Sequence, residues 1–379
     1  MEIRPMIIVS VLALSVIGLT HSSAKAEPKN TVITLEMAIS RAVAAAPSLR
    51  AGEENLRGTI AQIHQAGVKP NPEISLESED FLGSGDFNGF DKSQTTLSIG
   101  QRFERGGKQQ ARISVAKRDN EVAKLARARA RLDVIYSAQK AYVEVMAATA
   151  AQKNAQVRFQ LSSDLEAAVK TRVDAALDSA AAAQRVALQA LEARTNLDQA
   201  GHDVDLARRQ LSMLWENEDV AFAVEAERLF AMDDVATQPN KESSESIPEI
   251  ALSLAAQKKA DAVIALEKAR AKQDPTLSFG LRHQADSDDV AAVLSFSMPL
   301  ALFDTNKGNI DRAVANRKKA GWDAIQVRRQ LDREMARLID RINAAKAEAS
   351  IIRSDMIPKA AQGLRTTRHG YERGAFTYL

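Results

Sequence analysis

Apolar positions in this chain follow two periods that alternate along its length. Val122, Leu125, Leu132, Ile135, Tyr142 and Met146 step by 3, 7, 3, 7 and 4, and Leu197, Val204, Leu211 and Leu214 step by 7, 7 and 3. In the second half Leu331, Met335, Leu338 and Ile342 step by 4, 3 and 4. Such spacing lays a stripe on one helical face with coiled-coil character. It predicts a helical hairpin over about 108–215 and a long helix over about 308–370. Between the helices lie segments of period two. Ile74 and Leu76 alternate with Ser75 and Glu77; Leu97, Ile99, Gln101 and Phe103 alternate with Thr96, Ser98, Gly100 and Arg102. Leu277, Phe279 and Leu281, then Leu294, Phe296, Met298 and Leu300, repeat the pattern. These predict β-hairpins over about 72–104 and 275–301. Each strand is close to the length that crosses a bilayer when tilted, but a half-buried soluble strand alternates in the same way. Periodicity leaves both readings open.

Proline and glycine punctuate chains, and here they agree with the periods. No proline lies between Pro72 and Pro239, and Gly201 is the only glycine from Lys108 to Gln238. The order proline, strand, polar loop, strand, glycine turn, long helix occurs twice. The strand-opening prolines Pro72 and Pro275 are 203 apart, and the glycines Gly107 and Gly308 are 201 apart. Arg172 to Ser179 is echoed by Tyr371 to Tyr378 at a distance of 199. Landmarks at nearly one offset indicate an internal duplication. The first repeat is 27–246: a helix, a hairpin, a helical hairpin, and an acidic, Ser-rich linker over 216–246. The second repeat is 247–379, and it reaches the counterpart of the first helical tip without a returning helix. The sequence therefore reads as a chain incomplete at its C-terminus, whose second helical hairpin is half made.

Composition narrows the class. Arg4, the apolar run Met6 to Leu19 and Ala24-Lys25-Ala26 predict a secretory signal peptide over 1–26. No later stretch approaches a transmembrane helix, so the mature chain either is secreted and soluble or spans a membrane by strands. There is no cysteine, which excludes disulfides, thiolate metal sites and lipid attachment at a cysteine of this chain. A net charge of +2 gives no case for nucleic acid. Aromatic residues are only 4%, which suits alanine-rich helices packed along their lengths better than a bulky globular core. His64, His202, His283 and His369 share no metal-ligand spacing, and neither a phosphate loop nor a GxSxG nucleophile motif occurs. No cofactor and no enzymatic reaction are indicated.

If the strands cross a membrane, an open sheet leaves backbone groups unpaired in lipid and must close into a barrel. Four strands are too few, because the smallest bacterial barrels use eight. The chain must then pool strands with other copies. Helices pooled on one side of such a barrel roll into a tube, and a barrel continuing into a tube is a conduit.

The residues that carry a family likeness run from Ile33 to Leu379. Thr34-Leu35-Glu36-Met37-Ala38-Ile39 with Ala46-Pro47-Ser48-Leu49, then Asn71 to Glu77, then Leu97 to Lys108, and finally Tyr371 to Leu379 resemble TolC-like outer-membrane factors, in particular their cobalt-zinc-cadmium, heavy-metal branch. The resemblance implies a fold that is mainly α with a small β membrane part, assembled as a homotrimeric α/β-barrel channel. It implies an outer-membrane location and docking to a periplasmic adaptor protein and a proton-driven inner-membrane pump. The implied function is a passive conduit for export of divalent heavy-metal cations, with multidrug export as the alternative. A secreted coiled-coil structural or adaptor protein is the competing class. By position, the resemblance places Arg172, Val173, Asp174, Leu177, Asp178 and Ser179 in one periplasmic tip and Tyr371, Gly374, Ala375 and Thr377 in the other. In the family these tips touch the adaptor and close the tube. Tyr371 matches a gate tyrosine; Phe376 and Ala180 replace the arginine and the acidic residue of the TolC gate.

Overall fold

A computed structural model describes residues 31–215, 222–230 and 247–373. The expected signal peptide, most of the linker and Gly374, Ala375 and Thr377 lie outside the described residues. Strand β1 (Thr31–Val32) leads into helices α1 (Leu35–Ala45) and α2 (Pro47–Ala66). Thr34 caps α1 by accepting from the Met37 amide at 3.3 Å. Pro47 then forces Ala46 out of the helical region, at ψ 114, and opens α2 at its first position. Hairpin β2 (Glu73–Glu79) and β3 (Gln94–Arg102) feeds α3 (Lys108–Asp174), which turns into α4 (Ala180–Ser212). After β4 (Phe222–Ala223) come α5 (Pro248–Arg270), hairpin β5 (Thr276–Gln284) and β6 (Asp289–Ser297), then α6 (Lys307–Ile351) and α7 (Ile357–Glu372). Helix α3 has 67 residues and is therefore about 100 Å long.

The four long strands form one antiparallel sheet in the order β2-β3-β5-β6. The helices attached to them keep that order, because α2 packs on α3, α3 on α5 and α5 on α6. Sheet and helices thus form one continuous wall, with β2/α2 at one edge and β6/α6 at the other. Lower down, α3 pairs with α4. A small cluster joins the two levels: Ile33, Ala38, Tyr142, Val145, Met146, Ala207, Leu211 and Phe222. There the Tyr142 hydroxyl donates to the Ile33 carbonyl at 3.0 Å, and β1 pairs with β4 in parallel. Residues within the segment read from sequence as a linker thus close this cluster from outside.

The helix seams match the expected stripes in part: Tyr142, Met146, Val204 and Leu211 are buried, and other members are not. Leu132 is 47% exposed, and Met335, Leu338 and Ile342 also face solvent in this chain. The residues buried on α3 are small toward the sheet, Ala116, Ala123 and Ala138, with Asn120 donating to Thr59 on α2 at 2.8 Å, and larger further along, Tyr142, Val145, Met146 and Val169. Near the sheet the small side chains let the helix axes approach closely, and there Leu132 flanks the contact instead of filling it. The second long helix also departs from an unbroken α pattern. Ile352–Met356 is a π-turn, in which the Ile357 amide reaches back to Ile352. Pro358 has no N–H for Ser354 and its ring crowds that carbonyl, and one inserted residue relieves both conflicts.

Alternation gives the sheet two unlike faces. One carries Ile74, Leu76, Leu97, Ile99, Leu277, Phe279, Leu281, Leu294 and Phe296, all of them exposed. They meet across strands, as in Ile74–Ile99–Phe279–Leu294. The opposite face is small in its middle, Ser75–Ser98–Gly280 and Gly100–Ser278–Ser295, and charged toward the hairpin loops, where Arg282 donates to Thr96 at 3.0 Å. A Cβ at Gly280 would lie 2.6 Å from the Ser98 Cβ and 2.7 Å from the Leu97 carbonyl oxygen. Mid-helix Gly201 has ordinary clearance, 3.5 Å to Gln152. Gly280→Ala is therefore expected to destabilise by about 1–3 kcal/mol through overpacking. Gly201→Ala is expected to stabilise by about 0.5–1 kcal/mol through helix propensity. Thermal unfolding of the two purified variants checks the opposite signs.

Candidate functional site: the sheet, its junction and the tips

The junction between sheet and helices is held by two ion pairs. Arg112 on α3 binds Glu104, with Nη2 to Oε2 at 2.8 Å. The same guanidinium donates to the Ala66 and Val68 carbonyls at 3.3 and 3.2 Å, closing the C-terminal end of α2. Lys108 meets Asp274 at 2.7 Å, and Asp274 also accepts from the Arg105 amide at 2.9 Å. The Gly106-Gly107 turn is required by backbone shape, since both residues have positive φ, 72 and 73. At Gly106 a Cβ would also strike Lys272. The hydrogen bond from Arg112 holds the Glu104 carboxyl below its usual value. Burial pushes Asp274 up, but Lys108 and the Arg105 amide outweigh it, and the net shift is down.

The first tip is a Schellman turn. The Leu177 amide donates to Arg172 O at 2.8 Å and the Ala176 amide to Val173 O at 2.9 Å. Ala176 occupies the left-handed position at φ 56, where glycine is usual. Ser179 caps α4 by accepting from the Ala182 amide at 3.2 Å. Across this turn Arg172 donates to Asp178 at 2.8 Å. Its guanidinium lies over the Tyr371 ring, 4.9 Å from the centroid. Asp178 raises the Arg172 pKa further, so this is a fixed positive charge. Tyr371, distant in sequence, is thus brought against the Arg172–Asp178 pair of this turn. Asp174, Leu177 and Ser179 are exposed on the same turn, and Val173 is half-buried. Sequence reasoning quoted Glu104 to Lys108 only as a likeness and missed Arg112 and Asp274. The matching charges sit on separate elements, so no local spacing marks them.

Among the described residues no group of His, Asp and Glu is arranged to hold a metal, and no helix is long and apolar enough to cross a membrane. The membrane-compatible surface is the apolar sheet face. Residues 38–217 and 241–379 match the family described as Outer membrane efflux protein. The chain belongs to the outer membrane efflux protein family.

Its similarity to individual proteins agrees. It is 28% identical to the cobalt-zinc-cadmium resistance protein CzcC of Cupriavidus metallidurans over 92% of this chain and 82% of that one. It is likewise 28% identical to the nickel and cobalt resistance protein CnrC of the same organism, over 88% and 78% of the two chains. In structure it is similar to the outer membrane protein VceC of Vibrio cholerae, with TM-score 0.69 and 20% identity, covering 91% of this chain and 87% of that one. It is also similar to the outer-membrane channel OprN, with TM-score 0.74 and 15% identity, over 91% and 81%. For this outer membrane efflux protein, the apolar sheet is the outer-membrane part and the helices form the periplasmic tube. Family members are trimeric channels that work in tripartite export systems.

Junction chemistry sets a pH dependence. Both carboxyls are depressed on folding, so their contribution is present above the unfolded value of about 4 and is lost as pH falls through the lower folded values. Thermal midpoints measured from neutral pH to about pH 3 are expected to drop steeply at the acid end. The Glu104→Gln/Asp274→Asn variant is expected to start lower at neutral pH, by about 2 kcal/mol of lost charged hydrogen bonds, and to fall less steeply.

Replacing Ala176 by glycine removes the left-handed strain in the tip. It is expected to stabilise the α3–α4 turn by about 1 kcal/mol, read as slower local amide exchange around Arg172 to Asp178.

Proposed function

We propose that this chain is the subunit of a homotrimeric outer-membrane channel that serves as the passive exit duct for divalent cations of the cobalt, zinc and cadmium type. It takes them from a proton-driven inner-membrane pump through a periplasmic adaptor protein. The metal class rests on the resistance proteins it resembles, whose printed names specify those ions. The trimer rests on one observation: β2 and β6 are open edges of a sheet whose outward face is apolar. In lipid those edges must pair. Three copies of a four-stranded sheet supply twelve strands, an even number within the range of bacterial barrels.

The duplication supplies the closing register. Strand β5 repeats β2 at an offset of 203, and β6 repeats β3 at 197, so that the pair Glu73↔Gly100 becomes Thr276↔Ser297. Under the same offsets the in-chain pair Gly100↔Ser278 between β3 and β5 becomes Ser297 against Ser75 of the next copy. At the tube's far end, Arg172, Asp178 and Tyr371 form the resting gate contact. Val173, Asp174, Leu177 and Ser179 face the adaptor, and Gly374, Ala375 and Thr377 complete the tip by position.

The cysteine-free chain permits a direct test. In outer membranes of a deletion strain, the Ser75→Cys/Ser297→Cys double variant is expected to give disulfide-linked dimers and trimers, and either single variant none. The same strain without the protein is expected to lose tolerance to zinc, cobalt or cadmium. A stable monomer with intact strands would sink the trimer. Unchanged metal tolerance with new sensitivity to detergents or dyes would move the substrate to multidrug export.

A further inference from the structure

The two repeats differ where strand passes into helix. Between β3 and α3 run five residues, Phe103-Glu104-Arg105-Gly106-Gly107, and the charged ones are tied into the junction. Between β6 and α6 run nine, Met298-Pro299-Leu300-Ala301-Leu302-Phe303-Asp304-Thr305-Asn306. This longer connector is apolar until Asp304. It is anchored at both ends, by β6 and by Asn306, whose Nδ2 donates to the Glu267 carbonyl at 2.8 Å. A turn with the Leu302 amide on Leu300 O at 2.9 Å shapes its middle. Past Met298, whose sulfur accepts from Arg105 at 3.8 Å, its large apolar side chains are mostly exposed: Leu300 is 72%, Leu302 73% and Phe303 98% exposed.

Geometry gives this run a place. The shared apolar rows of the sheet extend from Leu76, Leu97 and Leu281 to Phe103 and Met298. That distance is about 20 Å along the strands, or about 15 Å along the membrane normal at the usual barrel tilt of about 40°. An outer-membrane apolar band is roughly 25 Å tall, so the strands alone fall short. Leu300 continues the outward set of β6, Leu294, Phe296 and Met298, directly toward the periplasmic side. Asp304, Thr305 and Asn306 then mark a polar boundary.

We propose that Leu300, Leu302 and Phe303 form a lipid-immersed collar that sits in the periplasmic leaflet of the outer membrane and sets the height of the barrel. The hydrocarbon boundary on this side lies at Asp304 rather than at the end of β6. The duplication argues for lipid over a neighbouring copy as the occupant. Phe103 holds the corresponding place after β3, where the adjoining hairpin is present in the same chain, with the Phe103 amide on Pro275 O at 2.9 Å. Phe103 is still 51% exposed there, so an adjoining hairpin does not cover this position. The inference rests on the outer-membrane placement of the sheet and not on the trimer or the exported substrate.

The test uses the full chain with its two tryptophans replaced, Trp215→Phe and Trp322→Phe. A single indole is introduced by Phe303→Trp or, as a reference in the middle of the sheet, by Leu294→Trp. Each protein is reconstituted into phosphatidylcholine vesicles carrying bromine either near the headgroup end or near the methyl end of the acyl chain. The expected result is quenching of both reporters to a comparable extent. The position-303 indole should respond more to bromine near the headgroup, and the position-294 indole more to bromine near the methyl end. If position 294 is quenched and position 303 is not, the collar is wrong. Blue-shifted emission there would then assign the run to a protein contact, and red-shifted emission to water. If neither reporter is quenched, the membrane placement of the sheet itself falls.

Discussion

A strand edge in hydrocarbon has no water to satisfy its amides and carbonyls, and the rest of this protein is arranged around that fact. Its sheet has four strands and two open edges, too few to close. Closure therefore depends on strands from further copies, and the in-chain pairing of β3 with β5 shows how the two halves of one chain meet. The two faces follow from the same requirement. Apolar residues point out to lipid, and Ser and Gly lie in the middle of the other face, where Gly280 and Gly100 leave no room for a side chain. Because each strand is joined at one end to a helix through a short connector, the sheet order passes into the helical wall. One pairing pattern thus specifies barrel and tube together.

The junction transmits that order. Glu104–Arg112 and Lys108–Asp274 bind the end of one hairpin to the helices that flank it, at partly buried positions where truncating one partner costs more than at the surface. Below it, Ala116, Ala123 and Ala138 line the upper α3 contacts, and Tyr142, Val145 and Met146 fill the cluster further along. The two long helices are not equivalent. Helix α3 is unbroken, whereas its counterpart carries a π-turn before Pro358. At the far end a cation over an aromatic ring, Arg172 on Tyr371, joins tips that belong to different repeats. At an exposed position such a contact is weak and readily reversed.

Much of this was legible in the sequence. Proline and glycine placement marked the helices, period-two alternation marked all four strands, and the offset of Pro72 from Pro275 exposed the duplication. These features are local: backbone preference and the face a side chain takes are written within a few residues. The tertiary structure decided which neighbour each face meets. It put Ala138 rather than Leu132 at the helix contact, because axis separation selects side-chain size and spacing alone does not report separation. It drew Phe222 out of an apparent linker to close the cluster around Tyr142, and it matched Arg112 to Glu104 and the α2 carbonyls, Lys108 to Asp274, and Arg172 to Tyr371. Each of the latter joins residues on different elements, and only the packed chain fixes the distances on which charge pairing and ring contacts depend.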